Sequence, residues 1–140
     1  MSTQTPFQFP IRIYWEDTDA GGIVFYANYL KFFERARTEW LRALGIEQQS
    51  LKDEVGGMFV VSETRLKYHR PAQLDDLLTV TAELAEGGRA TLTLQQQAWR
   101  NQPGQAPELL AEGSIRIGWV DSLTLKPGRI PATILKALQP

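Results

Sequence analysis

The stretch Asp17-Thr18-Asp19-Ala20-Gly21-Gly22 places two carboxylates one residue apart beside a glycine pair, and the apolar run Ile23-Val24-Phe25 comes directly after it. Carboxylates in such a setting can hold a hard cation, shape a turn, or act on a reacting carbonyl. The calcium reading fails on spacing. An EF-hand loop opening at Asp17 needs a ligand at its fifth position and a Glu at its twelfth, where this chain has Gly21 and Asn28. The turn reading is the ordinary one, because Asx side chains bond the local backbone and Gly accepts positive φ. The reactive reading draws on the neighbouring helix. A helix that starts just after the segment leaves the N–H groups around Val24 to Asn28 without intrahelical acceptors, and that end favours a carbonyl oxygen gaining negative charge. A carboxylate ionised at neutral pH is a feeble base and a modest nucleophile, so it suits an activated acyl group such as a thioester better than an amide.

The elements that must aim these groups are read from periodicity. Phe7, Phe9, Ile11 and Ile13 alternate with their neighbours, the sign of a half-buried strand ending near Trp15, and Pro10 points to an edge or a bulge. Tyr29, Phe33, Ala36, Trp40 and Leu44 recur at three- and four-residue spacings, with Leu30 and Leu41 widening the stripe. Gly45 stands where a C-cap belongs. The helix expected from about Ala27 to Leu44 is then roughly 25 Å long at about 1.5 Å per residue. Met58 to His69 is rich in strand formers, and three further segments alternate: Leu78 to Leu84, Ala90 to Ala98 and Ala111 to Trp119. Turn chemistry separates them at Pro71 to Asp76, Glu86-Gly87-Gly88 and Asn101 to Gly104. A short helix is expected from Ile130 to Leu138. One long striped helix after a first strand, with four more strands behind it, implies an α+β arrangement in which an antiparallel sheet of about five strands wraps that helix. Residues 1–140 are expected to form a single domain. Four Trp and six Phe on a sheet covered by one helix leave apolar surface for a second copy of the chain.

Composition narrows the chemistry. The formal net charge is −1, so no global basic field gathers nucleic acid. With no cysteine, disulfides, thiolate metal sites and a Cys nucleophile fall away together. The single histidine, His69, has no triad partner suggested by spacing, no serine lies in a Gly-x-Ser-x-Gly frame, and no metal site is expected. Gly-x-x-x-x-Gly-Lys and Gly-x-Gly-x-x-Gly phosphate cradles are absent from the sequence. No stretch of about 18 apolar residues offers a membrane span, and the N-terminal residues are too polar for a signal peptide, so a soluble cytoplasmic protein is expected.

The block from Glu16 through Gly22, together with Phe9-Pro10, Arg12, Tyr14, Phe33 to Glu39, Arg70-Pro71-Ala72, Leu74-Asp75-Asp76 and Leu125-Lys126-Pro127, resembles the hotdog-fold acyl-CoA thioesterases of the 4-hydroxybenzoyl-CoA thioesterase family, and within it the subgroup associated with the Tol-Pal envelope system. The resemblance implies a sheet curled round the central helix and dimers whose sheets join, often in a dimer of dimers, with sites at the dimer interface. It implies an acyl-CoA substrate, of short to medium or aromatic acyl group, and no cofactor. It makes Asp19 the catalytic carboxylate, as nucleophile or as general base, with the Tyr26 backbone N–H as donor to the thioester oxygen. Asp17 would shape the turn. The Tol-Pal subgroup usually has His where this chain has Tyr26; Tyr is what the hydroxybenzoyl-CoA enzymes carry there. Two other readings fit the resemblance less well: an enzyme acting on acyl carrier protein, or a non-catalytic acyl-binding adaptor of an envelope complex.

Phe25 and Tyr26 flank the expected oxyanion position, and Phe25 and Gly22 belong with the substrate pocket. Glu34 and Arg37, three apart, either pair along the helix or line an acyl pocket. Arg65, Lys67 and His69 alternate along one strand face, either as a solvated face or as cations for coenzyme A phosphates. The family pattern puts Arg89 at a nucleotide contact, although a hairpin arginine is more often simply solvated.

Overall fold

The computed structural model describes residues 5–138, and its five strands form one antiparallel sheet in the order β1-β3-β4-β5-β2. They are β1 (Phe7–Arg12), β2 (Gly57–Tyr68), β3 (Leu77–Gly87), β4 (Thr91–Asn101) and β5 (Glu108–Asp121). The alternation read from the sequence sets the register. Phe9, Ile11, Leu78, Val80, Leu92, Leu94, Ala98, Ile115 and Ile117 fall on the helix side, and Ile11 lies opposite Leu78. Pro10 lies on an edge strand, where its missing N–H costs no ladder bond. The first strand stops at Arg12 rather than near Trp15, because Trp15–Asp17 coils into a 3-10 turn whose Asp17 Oδ2 accepts the Tyr14 N–H at 2.8 Å.

The long helix α1 runs Asn28–Ala43 across the sheet. Its buried face is Tyr29, Phe32, Phe33, Ala36, Trp40 and Leu41. Each large side chain so buried contributes roughly 1.5–3 kcal/mol relative to exposure. The expected stripe is therefore corrected at three positions. Phe32 completes the face through its three- and four-residue spacing to Tyr29 and Ala36. Leu44 lies past the last helical turn, and Leu30 is exposed. Gly45, at φ +83, donates to Arg42 O while Ile46 donates back to Leu41 O, and the Ile46 side chain packs in the same cluster as Leu41. This is the helix-ending motif that its sequence position implied.

Residues Gln48–Ser50 and Leu51–Val55, unassigned by periodicity, form consecutive helical turns before β2. The C-terminal helix covers Ala132–Leu138, with Ile134 and Leu135 N–H both bonded to Pro131 O. Ile130, Ile134 and Leu138 close the end of the core under Trp40 and Trp119. Among the described residues no helix is long and apolar enough to cross a membrane.

Candidate active site

Residues 17–25 form a tight hairpin. Asp19 N–H donates to Ile23 O at 2.9 Å, Gly22 N–H to Asp19 O at 3.0 Å, and Phe25 N–H to Asp17 O at 3.0 Å. Gly22 turns the tip at φ +80, a conformation that costs an L side chain strain. At the tip, Asp19 Oδ1 accepts the Gly21 N–H at 2.8 Å, and its other oxygen has no hydrogen-bond partner among the described residues. The side chain is exposed. A Cβ on Gly21 would come 3.2 Å from Asp19 Oδ1, so the missing side chain there leaves room at the carboxylate.

Asp17 is used differently. Its carboxylate takes the Tyr14 N–H, and its carbonyl accepts from both Phe25 N–H and Asn28 Nδ2 at 2.8 Å. It ties the hairpin base to the start of α1. A second brace comes from the Pro71–Asp76 loop. Val24 N–H donates to Ala72 O at 2.9 Å, Ile23 bridges Gln73, and the Ala72 N–H reaches the buried Tyr29 hydroxyl at 3.0 Å. Burial pushes the Tyr29 phenol up from its ordinary value, against the pull of that Ala72 bond, so it remains a neutral acceptor. The loop is itself fixed by Arg100, whose side chain is 14% exposed and bonds Asp76 Oδ2 at 3.0 Å and Glu108.

These bonds decide which helix-end amides are free. Val24, Phe25 and Asn28 N–H are satisfied by loop carbonyls, which narrows the wider set expected from the sequence. Tyr26 N–H has no acceptor among the described residues. Its carbonyl accepts from the Tyr68 hydroxyl at 3.1 Å, which ties the residue to the end of β2. A carboxylate with a free oxygen, an unused amide at the base of the same hairpin, and glycines between them make an arrangement able to attack and stabilise an acyl carbonyl.

Residues 21–107, more than half of the chain, match the thioesterase superfamily. The chain belongs to that superfamily. It is 43% identical over 131 residues to a protein of Haemophilus influenzae named acyl-CoA thioesterase YbgC, covering 94% of this chain and 93% of the relative. It is 39% identical over 131 residues to an Escherichia coli O6:H1 protein named acyl-CoA thioester hydrolase YbgC, covering 94% of each. In fold it is similar to 4-hydroxybenzoyl CoA thioesterase from Pseudomonas sp. strain CBS-3, with TM-score 0.86, 22% identity and coverage of 93% of this chain and 96% of that one. The sheet wrapped on α1 is thus the hotdog fold.

In this thioesterase-superfamily chain the other expected site residues divide. Phe25 is 44% exposed and Tyr26 is 63% exposed, their rings 4.9 Å apart beside the free amide, and Tyr68 adds an edge contact to Tyr26 at 6.1 Å. Glu34 and Arg37 do not pair. Both line a cavity of about 360 Å³ between α1 and β2, and Arg37 Nη1 bonds Gln96 Oε1 at 3.0 Å instead. Arg65 is engaged by Glu63 at 2.9 Å, and His69, one residue past β2, by Glu112 at 2.7 Å, whereas Lys67 has no acid within ion-pair distance among the described residues. Arg89 is exposed in the β3–β4 turn. That turn lies at the far end of β3 from the Pro71–Asp76 brace, and eleven residues of strand at about 3.3 Å each put roughly 35 Å between the two ends. One protomer does not bring Arg89 to its own Asp19. The brace through Arg100 and Tyr29 was not foreseen; its signal was the Ala72 and Asp76 spacing in the Pro71–Asp76 turn, which reads as loop chemistry alone.

Proposed function

We propose that this chain, a single-domain cytoplasmic protein, is an acyl-CoA thioesterase that cleaves an acyl thioester to free acid and CoA. Asp19 either attacks the carbonyl carbon or takes a proton from the water that does. The carbonyl oxygen, as it gains charge, is held by the Tyr26 N–H. If Asp19 attacks, the C–S bond breaks to leave an anhydride on Asp19, which water hydrolyses to the acid and the free carboxylate. If water attacks, its oxygen joins the carbonyl carbon as the C–S bond breaks. In both cases a proton from water ends on the leaving thiolate. The observation that carries this is the pairing of a free Asp19 carboxylate oxygen with an unused Tyr26 amide across one glycine-tipped hairpin. Family membership and the names of the relatives support acyl-CoA over acyl carrier protein as the carrier.

The site is completed by a second copy. β2 is an open edge of twelve residues, and antiparallel pairing of two such edges would bring the far end of one sheet toward the hairpin of the other. The partner's Arg89 would then supply a cation for coenzyme A phosphates beside the chain's own Lys67, which precedes Tyr68 at the hairpin end of β2, and two such dimers would form the tetramer. Phe25, Gly22 and Glu34 shape the acyl side. The test is thiol release from short, medium and aromatic acyl-CoAs by the purified chain, read against the same panel on acyl carrier protein. Turnover on acyl-CoA is expected; no turnover on any thioester would overturn the reading.

A further inference from the structure

Two arginines are partly withdrawn from solvent, and they are treated in opposite ways. Arg100 holds two carboxylates, Asp76 and Glu108. Arg37 is half-buried on α1 and meets none within 4.0 Å among the described residues; its one side-chain partner there is the neutral amide of Gln96. Gln96 is fully buried and fixed, its Nε2 donating to Phe33 O at 3.0 Å and Thr81 O at 3.1 Å. The guanidinium is therefore anchored by one of its five N–H groups, and the others are not spent on an acid. A partly desolvated cation without a counter-charge carries part of the desolvation cost, and an anion delivered to it offsets that cost. Burial pulls the guanidinium down from its ordinary value, while the charge of Glu34, at the cavity rim, works against that pull.

The space in front of Arg37 is a cavity of mixed polar and apolar lining. The cavity of about 360 Å³ is polar at Arg37, Thr38 and Gln48, where Gln48 Nε2 donates to Thr38 Oγ1 at 3.1 Å, and apolar at Leu41, Phe59 and Val61. Arg37 lies nine residues past Asn28, so it stands about 13 Å along the helix axis from the start of α1, at about 1.5 Å rise per residue. A medium-length acyl chain spans that distance.

We propose that this cavity is a distal subsite for an acyl chain ending in a carboxylate, with Arg37 as its counter-charge, so that the preferred substrates include CoA monothioesters of dicarboxylic acids. This rests on the thioesterase reading and adds the substrate class. Arg37→Met and Arg37→Lys are to be compared with the parent on decanoyl-CoA and on the CoA monothioester of decanedioic acid. The parent should favour the dicarboxylic thioester in kcat/KM by about tenfold or more, as a charge-assisted bond implies; the preference should vanish in Arg37→Met and return in part in Arg37→Lys. Equal rates on the two thioesters by the parent overturn the inference, whatever the variants do. A preference that survives in Arg37→Met overturns it too, since a merely structural Arg37 would leave the ratio unmoved.

Binding separates this from failure of the enzymatic reading. If the parent cleaves neither thioester, that reading fails, and calorimetric titration with octanoate and 1-octanol still decides the subsite. Octanoate binding about tenfold tighter, lost in Arg37→Met, supports it, and equal binding sinks it. Should Arg37→Met weaken self-association in sedimentation while the ratio stays fixed, the anion is a carboxylate of the second copy and the inference fails.

Discussion

Asp17 and Asp19 share a residue type, a hairpin and nearly the same stretch of sequence, yet they differ in burial and in what their backbones hold. Asp17 is enclosed by donors: its carboxylate holds Tyr14 N–H, and its carbonyl holds Phe25 and Asn28. Asp19 accepts one N–H, from Gly21, and presents its second oxygen outward. Each carboxylate thus takes one backbone N–H; the partly buried Asp17 takes it from outside the hairpin and fixes geometry, whereas Asp19 takes it within the exposed tip and can meet a substrate. A further contrast lies between Arg100, held by two acids, and Arg37, anchored by an amide alone.

Exchanging acid for amide at each position is the sharpest way to break that comparison. Asp19→Asn should lower kcat by roughly 10²–10⁴ with KM and melting temperature almost unchanged, because it removes charge and basicity that matter in the transition state. Asp17→Asn keeps an acceptor oxygen for Tyr14 N–H and should stay within a few-fold of the parent in rate. If the two substitutions cost the same, the division of labour is wrong. Tyr26→Pro deletes the proposed oxyanion donor and should cost about 10²–10³ in kcat. A proline variant that folds and retains near-parent kcat would show that another donor holds the oxygen.

How much of the molecule could be read in advance depended on whether the signal was local. Strand alternation, the α1 stripe and the Gly45 cap are encoded within a few residues, and they reappear in the structure nearly in place. The wheel misplaced Leu30 and missed Phe32 because the stripe was drawn through a cap residue, Leu44, that lies beyond the helix. Residues Gln48–Val55 gave no period because three polar residues and then a single π-helical turn are too short to show one. The Asp-Gly-to-helix join marked the site, but composition alone left both carboxylates as turn formers. What separates them is made by the Tyr14 and Asn28 bonds and by a loop more than forty residues away. The link from Arg37 to Gln96 spans 59 residues, so an i,i+3 acid was the natural partner to expect and the wrong one.

Asp17→Ala tests the structural half of the comparison on its own terms. It strips the acceptor from Tyr14 N–H while leaving Asp19 chemically intact, and the loss should be about 1–2 kcal/mol of stability, in the range for a removed capping acceptor. Activity should fall in proportion to the loosened hairpin, by less than Asp19→Asn, and should recover toward the parent as temperature is lowered away from unfolding. Thermal melts paired with thiol-release rates at two temperatures read both effects. A variant as stable as the parent would mean that the 3-10 turn stands without Asp17, and that the hairpin is braced from the Ala72 side alone. The smallest change expected is Tyr26→Phe, within about twofold of the parent in kcat, because the proposed donor is the backbone N–H that every residue but proline provides. A larger loss would assign the Tyr26 hydroxyl a part in the reaction and shift the comparison from two carboxylates to a carboxylate and a phenol.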